Sequence, residues 1–303
     1  MTRKIGIIGM GNVGAACAHY IVAGGFVDDL VLIDQNEKKV KADALDFEDA
    51  MANLPSHTNI FVNDYSQLDD ADIIISAVGH IKLIGGDHPN RFGELKPTGD
   101  SVTDVANKIK QTKFNGIMVV ISNPNDVMTS MYQQILGFPK ERVIGTGTLL
   151  DSARMKRAVG KAFEVDPRSV TGYTLGEHGN SQFTAWSTVK VMDQPVEELA
   201  KKNGLDLDQI NEDVRMGGFT VFDGKGYTNY GVSTAAVRLS LAILNDAHIE
   251  LPVSNYREEY GVYLSYPAIV GRNGILKQLQ LDLPQAELDK LQYSADYIKK
   301  NLK

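Results

Sequence analysis

One stretch near the start of the chain limits what the whole can fold into. An apolar, β-branched run over residues 4–10 passes into Gly9-Met10-Gly11-Asn12-Val13-Gly14, and residues 15–23 then carry helical spacing. Such a glycine triplet is a weak signal by itself, because glycines also mark ordinary turns. Here it follows a strand, opens a helix, and is followed twenty residues after Gly14 by Asp34, at the end of the next apolar run. That context makes it a dinucleotide-binding fingerprint. Gly9 permits the tight turn, Gly11 lets a pyrophosphate approach the backbone and the positive helix N-terminus, and Gly14 lets helix and strand pack closely. Asp34 is suited to accept hydrogen bonds from the adenosine ribose. Its charge repels a 2′-phosphate and Gln35 offers no compensating cation, so NAD is expected rather than NADP. Cys17 shares the inward helix face with Gly14 and Ile21 and reads as a small core residue.

The pattern repeats along the first half. Apolar runs at 30–34, 60–62, 73–78, 117–122 and 143–145 alternate with stretches of helical spacing, such as Val40, Ala44, Phe47 and Met51, or Val102, Val105 and Ile109, or Val127, Met131 and Ile135. Strand–helix alternation with strands apolar nearly throughout predicts an α/β fold, a Rossmann-type doubly wound parallel sheet. The second half differs. Runs at 170–175, 184–191, 249–255 and 262–270 read as strands, the last pair antiparallel. Helices are expected at about 228–245, with Val237, Leu241 and Leu244 inward, and at 285–301, with Leu288, Leu291, Ala295, Ile298 and Leu302 as its apolar stripe. We therefore expect an NAD-binding domain over residues 1–145 followed by a mixed α+β catalytic domain over 146–303.

Composition removes other classes. Lys and Arg number 31 against 38 Asp and Glu, giving a net charge of −7, which disfavours nucleic acid and anionic membranes as partners. Cys17 is the single cysteine, so neither a disulfide framework nor a multi-cysteine metal site is expected, and no metal is assigned. With no apolar run near the roughly 18 residues of a membrane span and no signal-peptide pattern, the expected location is the cytoplasm.

Four polar segments fall in loops or at predicted strand ends, where such sheets bind ligands. They are Asn123-Pro124-Asn125-Asp126, Asp151-Ser152-Ala153-Arg154, Gly176-Glu177-His178-Gly179, and the stretch from Gly79 to Gly99 that contains Arg91. Hydride transfer to a 2-keto acid needs a proton donor, a carboxylate clamp and a group that polarises the ketone. Histidine beside an aspartate suits the first, and the planar arginine fork suits the second.

Together with Gly9–Gly14, Asp34 and Ser122-Asn123-Pro124, these segments resemble the NAD-dependent L-lactate/malate dehydrogenase superfamily over essentially the whole chain. Gly217-Gly218-Phe219, Gly224-Lys225-Gly226-Tyr227-Thr228 and Tyr263-Leu264-Ser265-Tyr266-Pro267 extend the likeness to its L-2-hydroxyisocaproate dehydrogenase branch. Lactate enzymes usually carry Asp where Asn180 stands. The resemblance implies His178 as acid/base, Asp151 as the group that orients it and Arg154 as the carboxylate clamp, with the Asp–x–x–Arg spacing selecting Arg154 over Arg157. It implies Arg91 as the lid residue that polarises the carbonyl, Asn123 as a partner of the reacting oxygen and the nicotinamide, and Thr228 on the substrate-pocket wall. Gly9, Gly11, Asn12, Val13, Gly14, Asp34, Lys39, Tyr65, Gly79, Ser122 and Thr146 fall at cofactor-contact positions. Malate enzymes place an arginine early in the lid, where this chain has Lys82-Leu83-Ile84-Gly85-Gly86. Keto acids with medium aliphatic or aromatic side chains are therefore expected, with a pyruvate-preferring lactate dehydrogenase as the alternative and a non-catalytic NAD sensor as a rival that the retained His178, Asp151 and Arg154 argue against. Helices near 40–51 and after Thr228 resemble subunit-contact faces of the family, implying a homo-oligomer.

Overall fold

The computed structural model describes residues 2–80 and 93–302. The first half alternates β1 (Lys4–Ile8), α1 (Asn12–Gly24), β2 (Asp29–Ile33), α2 (Glu37–Met51), β3 (Asn59–Val62), β4 (Ile73–Ser76), α3 (Leu95–Ile109), β5 (Ile117–Val120), α4 (Asn125–Leu136) and β6 (Val143–Gly145). These strands lie parallel in the order β3-β2-β1-β4-β5-β6. Chain growth reverses direction between β1 and β4, which opens a crevice at the carboxyl ends of the strands. Every side chain of β1, β4 and β5 is buried, because helices cover both sheet faces.

The chain continues through α5 (Leu149–Ala162), β7 (Val170–Thr171), β8 (Thr174–Leu175), β9 (Phe183–Thr184), β10 (Lys190–Val191), β11 (Gln194–Pro195), α6 (Val196–Asn203), α7 (Leu207–Lys225), α8 (Tyr230–Leu244), β12 (Ile249–Arg257), β13 (Val262–Gly271), β14 (Gly274–Gln278) and α9 (Gln285–Asn301). β12, β13 and β14 are antiparallel and join the same sheet, β12 docking on β6 at Ser254 and Gly145. The result is a continuous nine-stranded sheet. One apolar core lies between the sheet and α1, α2 and α8, and a second lies between the other face and α3, α4 and α9. A third, smaller core joins α5 to α6 and α7. Among the described residues, no helix is long and apolar enough to cross a membrane.

Several expected elements change in the structure. The run 170–175 is broken at Gly172, whose φ of +108° is open to glycine and turns the chain between β7 and β8. The run 184–191 is broken by a 3₁₀ turn at Trp186–Thr188, where Glu287 accepts hydrogen bonds from the Ser187 amide and hydroxyl. The helix expected from Thr228 begins at Tyr230, which leaves Thr228 in the preceding loop. On α4 Val127 is buried as expected, together with Met128, Tyr132 and Leu136, while Met131 and Ile135 are only partly covered. Leu302 lies past the end of α9 and is exposed. α7 is held by Asp206, which accepts from the Asp208 and Gln209 amides, and ends at Gly226 in the left-handed region. Its mid-helix pair Gly217-Gly218 hides it from periodicity arguments.

A Cβ at Gly14 would sit 1.9 Å from the Gly9 carbonyl oxygen, whereas at Gly11 it would meet nothing within 4 Å. Gly14→Ala should therefore lower stability by about 3 kcal/mol in denaturant unfolding. Gly11→Ala should cost under about 1 kcal/mol yet weaken dinucleotide binding. Equal stability of the two variants would contradict this packing.

Candidate active site

The glycine loop closes β1 with Gly9 at φ +95°, where a Cβ would lie 2.7 Å from the Ala77 backbone. Gly14 is packed just as tightly, and the exposed space above Gly11 leads to the first turn of α1, where Asn12 and Val13 present backbone amides without intrahelical partners. This is the chemistry of a pyrophosphate cradle. Asp34, one residue past β2, ties the loop to the next helix. Its Oδ2 accepts from the Met10 amide at 2.6 Å and its Oδ1 from the Asn36 amide at 2.8 Å.

The other cofactor candidates gather along the same edge. Gly79 lies just past β4, Ser122 just past β5 and Thr146 just past β6. Ser122 Oγ is 3.2 Å from Ser76 Oγ, and the Thr146 amide donates to the Val120 carbonyl. Tyr65 is half-buried on a 3₁₀ turn past β3, and burial, then the Asp104 charge, pushes its phenol up to about 12. Lys39 sits in the first turns of α2, its amide donating to Asn36 and its Nζ 2.5 Å from Asp43.

The acid–base candidates meet at the start of α5. Asp151, in its first turn, is 1% exposed and benefits from the helix N-terminus. Its Oδ2 is 2.6 Å from His178 Nδ1, and its Oδ1 accepts from Arg154 Nη1 at 2.8 Å, one helical turn along α5. Because a carboxylate only accepts, Nδ1 carries the proton and the imidazole is held by that edge. Arg157, on the same helix, is exposed. A Cβ at Gly218 would come within 3.1 Å of the Arg154 guanidinium, so the bare backbone of α7 lets that group lie against it.

Asn123 lies between β5 and α4, and its Oδ1 is buried with no hydrogen-bond partner among the described residues. An unpaired buried acceptor of this kind fits a ligand donor such as a carboxamide. Thr228 is half-buried in the loop between α7 and α8. Arg91, with Lys82, Leu83 and Ile84, lies outside the described residues.

Two contacts were not assigned from the sequence. Asp126, in the first turn of α4, accepts from the His178 backbone amide at 2.9 Å and from Ser254 Oγ at 2.5 Å. One end of the Gln182 side-chain amide sits 3.2 and 2.9 Å from the two Asp151 oxygens, and since an amide oxygen there would face acceptors alone, we assign the nitrogen to it. Both residues lie in the polar segments singled out above or beside them, but pairings across 52 and 31 positions leave no local pattern. Burial raises the Asp126 carboxyl to about 7 against the pull of its Ser254 and His178 hydrogen bonds, and the Glu177 charge adds to the rise.

This has a sign for stability. Between about 3.8 and about 7 the folded chain keeps a proton at Asp126 that the unfolded chain has released, so stability falls as pH rises through that window. Asp126→Asn should flatten that decline in urea unfolding measured at both ends of the window. An unchanged slope would mean the carboxyl is already ionised in the fold.

Known proteins resemble this chain along nearly its whole length. Residues 3–145 match the family model for the lactate/malate dehydrogenase NAD binding domain, and residues 148–303 match the model for its alpha/beta C-terminal domain. An L-lactate dehydrogenase of Clostridium botulinum (strain Loch Maree / Type A3) is 34% identical over 99% of this chain and 96% of its own. L-lactate dehydrogenase 3 of Bacillus anthracis is 35% identical over 100% and 98%. The ligand-bound crystal structure of the minor L-lactate dehydrogenase of Enterococcus mundtii superposes with a TM-score of 0.93 at 33% identity, covering 99% of this chain and 98% of that one. The chain therefore belongs to the lactate/malate dehydrogenase family, NAD-dependent oxidoreductases that act on the CH–OH group of 2-hydroxy acids.

Proposed function

We propose that this dehydrogenase reduces 2-keto acids with medium aliphatic or aromatic side chains, 2-ketoisocaproate among them, to L-2-hydroxy acids, as L-2-hydroxyisocaproate dehydrogenases do. The observation that carries the chemical part is the hydrogen-bonded set of His178, Asp151 and Arg154. The bound nicotinamide supplies or takes the hydride. With Nδ1 committed to Asp151, His178 gives its Nε2 proton to the nascent alkoxide and, in the reverse direction, takes it from the hydroxyl. Asp151 fixes the tautomer and stabilises the imidazolium. Arg154 turns its fork to the substrate carboxylate, and Arg91 polarises the carbonyl and closes the site against water. Asn123 bonds the reacting oxygen and the nicotinamide, and Thr228 lines the substrate pocket. The glycine loop, Asp34, Lys39, Tyr65, Gly79, Ser122 and Thr146 hold the cofactor.

The side-chain preference rests on Lys82-Leu83-Ile84-Gly85-Gly86, which puts no arginine before Arg91 to hold a second carboxylate and offers two apolar side chains instead. An apolar pocket separates substrates by only about 1–3 kcal/mol per methylene, so the profile is broad. The names of the relatives favour a second reading, pyruvate as the preferred substrate. Initial rates with 2-ketoisocaproate, pyruvate and oxaloacetate, followed by NADH absorbance, separate the two; best turnover on oxaloacetate would sink both. His178→Asn should bind NADH and lose turnover by at least about a hundredfold. Full turnover in that variant would assign the proton to another group.

A further inference from the structure

We infer that Gln182 is a positioning residue for this reaction: its side-chain amide holds the Asp151 carboxylate while Arg154 leaves it for the substrate. The inference rests on the roles of His178, Asp151 and Arg154 proposed above. The Gln182 nitrogen is 3.2 Å from Asp151 Oδ1 and 2.9 Å from Oδ2, and an amide oxygen at that place would face acceptors alone. Arg154 gives one arm of its fork, at 2.8 Å, to the same Oδ1. A substrate carboxylate competes with Asp151 for that arm. When it wins, a carboxylate with 1% of its surface exposed loses a charged donor, and losing a charged hydrogen bond in a buried site is costly.

Gln182 softens that exchange in two ways. It stands on the loop between β8 and β9, not on α5, so its bonds to Asp151 do not depend on where the guanidinium goes. It is also neutral, so it orients Asp151 without cancelling the charge that stabilises the His178 imidazolium. Among the described residues, the charged and titratable groups around that imidazole are Asp151 and Arg154 from α5, Asp126 from α4 and Glu177 from its own loop. Arg154 is the one that the exchange moves.

Gln182→Ala tests this. Asp151 should then retain Arg154 more firmly, and KM for the keto acid should rise about tenfold while NADH binding stays as in the parent. Reduction consumes the proton that His178 donates, so kcat/KM has an alkaline limb. Without the two neutral donors the Asp151 charge bears more fully on the imidazolium, and the alkaline limb of kcat/KM should move to higher pH. Gln182→Glu sets one carboxylate against another. It should be weaker than the alanine variant at neutral pH and recover on acidification, when a shared proton restores a donor. An unchanged KM and pH limb in Gln182→Ala, or a Gln182→Glu enzyme equal to the parent at neutral pH, would overturn the inference. If His178→Asn loses turnover while Gln182→Ala behaves as the parent, the reaction stands and this positioning role falls. If His178→Asn keeps turnover, both fall.

Discussion

A single buried carboxylate organises the chemical end of this protein. Asp151 is reached by an imidazole on one oxygen and by a guanidinium on the other. Those two groups come from different parts of the chain, a loop after β8 and the body of α5, and neither would hold its orientation without the shared anion. Burying that anion is tolerable because it sits in the first turn of α5, where unpaired backbone amides provide partial positive charge. The surrounding architecture follows from this need. α5 has to start where β6 ends, and the β8–β9 loop has to fold back over it.

The dinucleotide end is built on the opposite principle, the absence of side chains. Gly14 lets α1 approach the Gly9 carbonyl, and Gly9 lets the loop approach the Ala77 backbone, more closely than a Cβ permits, while Gly11 leaves open space in front of an uncapped helix start. The two ends are joined by the sheet itself. β5 leads to Asn123 and β6 leads into α5, so the crevice proposed for the cofactor also carries the proposed acid–base groups.

Much of this was legible in the sequence because it is encoded locally. The glycine spacing, the position of Asp34, the buried parallel strands and the Asp–x–x–Arg turn each need fewer than about 25 consecutive residues to be read. The resemblance to a dehydrogenase family then supplied the distant partner His178. What could not be read depends on contacts far apart in the chain. Gln182 and Asp126 meet their partners only after the fold is complete. α7 escaped notice because two glycines interrupt its pattern, and those glycines make sense only against Arg154 and Arg157 on α5. The broken strands between Val170 and Val191 were similarly hidden, since Glu287 on the last helix sets one of the breaks.

The bond from the His178 amide to Asp126 carries a mechanical consequence. Asp126 is gripped by Ser254, which pairs with Gly145 in the middle of the sheet. The backbone that presents the imidazole is thus moored to the central sheet, although it belongs by connectivity to the loop between β8 and β9. Whatever breathing accompanies the passage of reactants has to occur around this point, and the proton-bearing ring stays put while its neighbours yield.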